Sequence, residues 1–183
     1  MGYGKLLGKQ QDAVKALVQG KDVCDLGAGD MELSVKLLEL GATKIIAVDK
    51  EDFPVPDPRI VRIRAYFKDV WRHTKPPKIA FISWPINHAD PSLARLVDRF
   101  PFIAYLGKNT DMTSCATPGF FQPLLRREVM AYIPNKKNVL IIYGPLAVER
   151  EPYGEELAAI TCDERAWDYE EAEEASKVLR SGR

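Results

Sequence analysis

The run from Val23 to Glu51, VCDLGAGDMELSVKLLELGATKIIAVDKE, restricts the fold of this chain more than any other stretch. It reads as a short apolar strand, a glycine turn opening a helix, a second apolar strand, and an acid at that strand's end. Asp25 closes the first strand, and Gly27-Ala28-Gly29 lets backbone pass close to a ligand where a Cβ would collide. Leu33, Leu37, Leu38 and Leu40 form the buried stripe of the intervening helix, and Gly41 stands where that helix stops. Ile45, Ile46, Ala47 and Val48 are apolar without a break and lead into Asp49, placed to accept from ribose hydroxyls. A βαβ unit of this kind seats a nucleoside at the carboxyl ends of its strands.

Charge narrows the nucleoside. A dinucleotide G-x-G-x-x-G turn would need a third glycine at Glu32. A pyrophosphate would also meet Asp30 and Glu32 at the helix start, beside like charge, whereas a ligand with a cationic amino acid end has the opposite preference. Asp25, the GAG turn and Asp49 together resemble the class I S-adenosylmethionine-dependent methyltransferases. That family carries a further glycine where Met31 stands here. The resemblance implies S-adenosyl-L-methionine as cofactor and a three-layer Rossmann-like α/β fold with a mostly parallel sheet of about six or seven strands. It also implies cofactor contacts at Asp25, Gly27, Gly29, Asp49, Lys50, Asp69 and Ser83.

At 183 residues the chain is expected to form one domain, ending in an acidic tail over about 163–183. Cys24, Cys115 and Cys162 are too scattered for a zinc site or a disulfide framework, and Cys24 inside the first strand reads as core. No metal site is expected. No apolar run reaches the ~20 residues needed to cross a bilayer. The amino terminus, MGYGKLLGKQ, has no signal-peptide hydrophobic region, so no membrane partner is expected and the cytoplasm is the expected compartment. Zero net charge conceals an uneven distribution. Arg59, Arg62, Arg64, Lys68, Arg72, Lys75 and Lys78 accompany only Asp69, while the segment from Glu149 to Glu174 is strongly acidic. The basic segment is either a surface for a phosphate-bearing substrate or a solvated face; alternation in RIVRIR favours the second.

The spacing predicts a helix near 5–19 with Leu6, Leu7, Ala13, Val14, Leu17 and Val18 as its apolar positions. Strands follow at about 22–26, 44–49, 60–65, 79–82, 102–106 and 139–143, the last stopped by Gly144-Pro145. Pro54, Pro56 and Pro58 exclude a regular helix after the second strand. Helices are expected after Pro91 (Leu93, Leu96, Val97), from Phe120 to Tyr132 and in the tail, with a last strand near Leu157 to Thr161.

Ligands in such sheets lie beyond the carboxyl ends of the strands, so the loops there hold the candidates. After strand three, Asp69 reads either as an acceptor for the adenine amino group, as the resemblance implies, or as a helix N-cap. After strand four, Ser83-Trp84-Pro85-Ile86-Asn87-His88 occupies the place where amino-group methyltransferases carry an (Asp/Asn)-Pro-Pro-(Tyr/Phe) motif. It keeps only the second proline. Ser83, Trp84, Asn87 and His88 are the candidate catalytic residues, with a proline-braced loop and core-packed Trp84 as the alternative. After strand five, Lys108, Asn109, Thr110 and Asp111 form a polar loop suited to substrate contacts. The expected activity is methyl transfer to a small-molecule or nucleic-acid acceptor. A non-catalytic binding or scaffold module and a nicotinamide-dependent oxidoreductase are the alternatives.

Overall fold

Alternation decides which residues of each strand enter which layer. In a computed structural model, which describes residues 5–72, 76–85, 99–107, 122–135 and 138–146, seven strands form one sheet. They are β1 (Asp22–Leu26), β2 (Lys44–Asp49), β3 (Ile60–Arg64), β4 (Ile79–Ser83), β5 (Phe102–Gly107), β6 (Arg127–Pro134) and β7 (Val139–Leu146). Their order is β3-β2-β1-β4-β5-β7-β6, with the first five parallel and β7 antiparallel to both neighbours.

On one face Val23, Ile45, Ala47, Ile79, Phe81, Ala104, Leu106, Leu140 and Ile142 pack beneath α1 (Lys9–Val18) and α2 (Glu32–Glu39). On the other, Leu26, Ile46, Val48, Ile82, Tyr105 and Ile141 pack against Val70, Phe100 and Leu124. Val70 and Leu124 come from 3-10 turns at Phe67–Arg72 and Gln122–Arg126. Both faces are covered, which is why β2, β4 and β5 read as continuous apolar runs rather than alternating ones, and β1 as one broken by Asp25. Cys24 belongs to this second layer, and burial holds its thiol above the usual range.

Helix α2 follows the leucine stripe. Leu33, Leu37 and Leu38 are buried, and the helix ends in a Schellman turn: Ala42 donates to the Leu37 carbonyl and Gly41, at φ 103°, to that of Leu38. Helix α1 starts later than its apolar spacing predicts, because Gly8 takes a non-helical φ of 43°. Leu7 is therefore exposed, and Gln10 fills the buried position with Val14, Leu17 and Val18. Gln10 Nε2 donates to the Ile133 carbonyl and to Asn138 Oδ1, both at 3.0 Å, tying α1 to the β6–β7 turn.

Two expectations fail at the hairpin edge. Phe120 to Tyr132 is not a helix: its described part is the 3-10 turn Gln122–Arg126 followed by β6. Leu125, Val129 and Tyr132 stand at helical spacing in the sequence, yet Val129, Ala131 and Ile133 also alternate, and the outer edge of β7 supplies the ladder that settles the choice. Gly144-Pro145 does not end β7 either; the strand continues to Leu146 opposite Arg127. Beyond Tyr143 it pairs only with β6, across two irregularities in register. The Arg127 guanidinium, itself buried, donates to the carbonyls of Gly144 and Pro101. The expected helix after Pro91, the last strand near 157–161 and the acidic tail lie outside the described residues.

Two cations of the basic segment have carboxylate partners. Arg59 pairs with Asp57, and Arg62 with Asp52, so these cations brace the proline-rich β2–β3 crossover. Arg62 also donates to the Phe53 carbonyl and Arg64 Nε to that of Lys50. No α-helix among the described residues is long and apolar enough to cross a membrane.

Candidate functional site

From β1 the chain crosses to β2 on one side, while β4 flanks β1 on the other, so connections diverge at the carboxyl ends of β1 and β4. That divergence opens the crevice in which doubly wound sheets bind ligands. The glycine turn lies at its lip. Gly27 and Ala28 both donate to the Val48 carbonyl, at 2.8 and 3.1 Å, and Gly29 donates to Asp49 Oδ2 at 2.9 Å. Gly27 and Gly29 have φ of 80° and 51°, which L side chains rarely adopt. A Cβ at Gly29 would meet nothing within 4 Å, so the turn fronts open space. One at Gly27 would lie 3.8 Å from the Phe67 ring, which places Phe67 against the turn.

Met31, where the resemblance calls for a further glycine, has a left-handed backbone of the kind glycine favours, with φ 66° and ψ 13°. Its side chain is buried in the core under α2, which offsets the roughly 1–2 kcal/mol that a left-handed conformation costs a non-glycine residue. The third left-handed residue of the turn is thus a methionine, alongside Gly27 and Gly29.

Three carboxylates converge on the turn. Asp49 is half-buried and already engaged: Oδ2 holds Gly29 and Oδ1 accepts from Glu51 at 2.9 Å. A carboxylate oxygen has two lone pairs, so each can still accept a ligand hydroxyl. Asp30 Oδ1 accepts from the Glu32 amide at 3.2 Å at the start of α2. Asp25 is fully buried in a sheet row between Ala47 and Phe81, where Ser34 Oγ of α2 donates to its Oδ2 at 2.6 Å. Its Oδ1 has no hydrogen-bond partner among the described residues. Burial, foremost, pushes this carboxyl up to about 7; the Ser34 hydrogen bond opposes the shift, and the charges of Asp49 and Asp30 add to it.

The other predicted residues divide. Ser83 ends β4 half-buried, and Trp84 follows at φ 49° with its amide donating to Leu106 at 2.8 Å. Trp84 is half-buried rather than sealed in the core, while Pro85 is buried. Asp69 lies inside the 3-10 turn, its amide donating to the Tyr66 carbonyl, and so is not the cap of an α-helix. Lys50 is exposed and pairs at 3.8 Å with Glu51. Asn87, His88, Lys108, Asn109, Thr110 and Asp111 lie outside the described residues. Sequence reasoning missed Ser34, whose only signal is a hydroxyl set within the leucine stripe of α2. No cluster of three His, Cys, Asp or Glu suited to a metal occurs among the described residues.

No protein-family model matches the sequence, and no curated protein matches it. Solved structures do. The chain is similar to a protein from Pyrococcus horikoshii assigned as an RNA methyltransferase, with a TM-score of 0.57, 18% identity, and coverage of 75% of this chain and 81% of that one. It is similar to Burkholderia thailandensis 1,6-didemethyltoxoflavin-N1-methyltransferase, determined with its substrate and S-adenosylhomocysteine bound (TM-score 0.55, 15% identity, coverage 75% and 78%). A ribosomal protein L11 methylase from Lactobacillus delbrueckii subsp. bulgaricus also matches (TM-score 0.50, 12% identity, coverage 78% and 81%). These likenesses, with the strand order, define the fold as the Rossmann-like fold of class I methyltransferases.

Proposed function

We propose that this protein is an S-adenosylmethionine-dependent methyltransferase whose acceptor is a small molecule or a nucleic acid. The observation that carries the reading is the glycine turn: left-handed at Gly27 and Gly29, open in front of Gly29, anchored by Asp49 and ringed by acids. That charge suits a ligand with ammonium and sulfonium cations and opposes a pyrophosphate, which argues against a nicotinamide cofactor. In this reading the turn's backbone passes beneath the amino acid end, and Asp49 accepts from the ribose hydroxyls. Phe67 and Asp69 border the base, and Ser83 and Trp84 border the acceptor. The cofactor supplies an activated methyl group. The protein's own residues then align an acceptor atom and exclude water, which needs neither a metal nor a catalytic triad. The fold does not choose the acceptor, since similar folds are named for RNA, a heterocycle and a ribosomal protein.

Calorimetric titration with S-adenosylmethionine and S-adenosylhomocysteine, with NAD as control, tests the proposal. Wild-type protein should bind both sulfur nucleosides and not NAD. Asp49→Ala should lose binding and, because Asp49 also holds the Gly29 and Glu51 amides, about 1–3 kcal/mol of stability. Asp49→Asn keeps one amide acceptor and separates the two effects. Absence of heat with either nucleoside would leave a scaffold on this fold; binding of NAD alone would make the protein a nicotinamide enzyme.

A further inference from the structure

We propose that the pocket takes up its cationic ligand with release of a proton from Asp25, an inference that rests on the sulfonium-nucleoside reading above. Asp25 stands in the sheet with Ala47 on one side and Phe81 on the other, both completely buried. Its Oδ2 has one donor, Ser34, and its Oδ1 has none among the described residues. The titratable groups that bear on it are Asp49 at the end of β2, Asp30 in the turn and Cys24 before it on β1. β4 presents Phe81, and α2 presents Ser34; Lys36 of α2 is engaged with Glu39 on the outer side. No cation is set against this carboxylate among the described residues.

An ionised carboxylate so placed has lost its water and gained a single hydrogen bond, next to two like charges. The neutral acid avoids most of that cost. A cation seated in the turn reverses the balance, because the ionised form alone is attracted to it. Binding therefore drives the Asp25 O–H bond to break, the electron pair staying on the carboxylate and the proton leaving to solvent. By linkage, affinity for the cation rises with pH, by up to about tenfold per unit, between the range where Asp25 ionises in the liganded protein and the range where it ionises in the ligand-free protein, and is level on either side. The site thereby couples occupancy to pH near neutrality without a histidine.

The test is calorimetry of S-adenosylmethionine binding at about pH 6 in phosphate and in imidazole, whose ionisation heats differ. The wild type should release close to one proton per ligand, about half a proton near pH 7, and bind roughly tenfold tighter per pH unit below that. Asp25→Asn, which still accepts from Ser34, should release none and bind independently of pH. Ser34→Ala removes the hydrogen bond that favours the ionised form and should move the levelling point to higher pH, a check that holds even where Asp25→Asn does not fold. Equal heats in the two buffers, an unchanged pH slope in Asp25→Asn, or an unmoved levelling point in Ser34→Ala would overturn the inference and leave the nucleoside reading standing. No binding by the wild type at any pH would overturn both.

Discussion

Replacing Asp25 by asparagine should remove a pH dependence from the stability of the ligand-free protein. The carboxyl is raised from 3.8 to about 7 in the fold, chiefly by burial, against the Ser34 hydrogen bond and with help from Asp49 and Asp30. An acid whose folded value lies above its unfolded value holds its proton in the native state at pH values where the unfolded chain has already released it. Stability is then greatest below the unfolded value, falls as pH rises through the interval, and is level above the folded value. With about 3 units between the two states at 1.36 kcal/mol each, ionisation of Asp25 costs ~4 kcal/mol once complete. Asparagine preserves the shape and the acceptor for Ser34 without the charge. Urea unfolding at a series of pH values should show the variant gaining on the wild type by ~3 kcal/mol between about pH 5 and pH 8, with unchanged m-values. The difference between the two curves isolates this one group, since every other titration is common to both. Parallel curves, separated by a constant offset, would refute the reasoning. They would mean that Asp25 is ionised throughout and that the Ser34 bond outweighs burial.

Two further substitutions probe the packing around the site. Gly107→Ala places a methyl group against the Tyr105 ring and hydroxyl, and Tyr105 is completely buried and cannot swing away. Chemical unfolding should show a loss of about 1–3 kcal/mol, and a loss below roughly 0.5 kcal/mol would mean that the carboxyl end of β5 shifts to admit the methyl group. Gln10→Leu removes the donor to Ile133 and Asn138 and the acceptor for the Leu7 amide. Thermal and urea unfolding should report a cost of about 1–3 kcal/mol, because a backbone carbonyl at the end of β6 loses a donor; a neutral or stabilising effect would show that water replaces the amide.

The parallel half of the fold was legible because local and tertiary preferences agree there. The strands at 22–26, 44–49 and 79–82 are short apolar runs bounded by turn residues, and each bound lies within a residue of the structure. The leucine stripe of α2 and its stop at Gly41 were legible for the same reason. The segment from Phe120 was not. Its residues satisfy a helical and an alternating pattern at once, and only the unpaired edge of β7 selects the strand. Leu7 and Gln10 exchange their expected places because Gly8 delays the helix, a backbone choice invisible to apolar spacing.

For the site, the sequence by itself determined the chemistry of the turn: glycines at 27 and 29, acids at 25, 30 and 49, and no room for a dinucleotide pattern at Glu32. Residue type and spacing suffice for that, since φ freedom and charge are properties of the residues themselves. Tertiary structure alone decided the rest. Met31 keeps the left-handed turn of a glycine because the core beneath α2 accepts its side chain. Asp49 braces the turn it was expected only to face, because β2 ends beside Gly29. Asp25 becomes a proton-holding group because the sheet seats it between Ala47 and Phe81, with α2 bringing Ser34 to one oxygen. Burial, and the lack of a counter-charge among the described residues, belong to the assembled layers, and they can be read only once those layers are in contact.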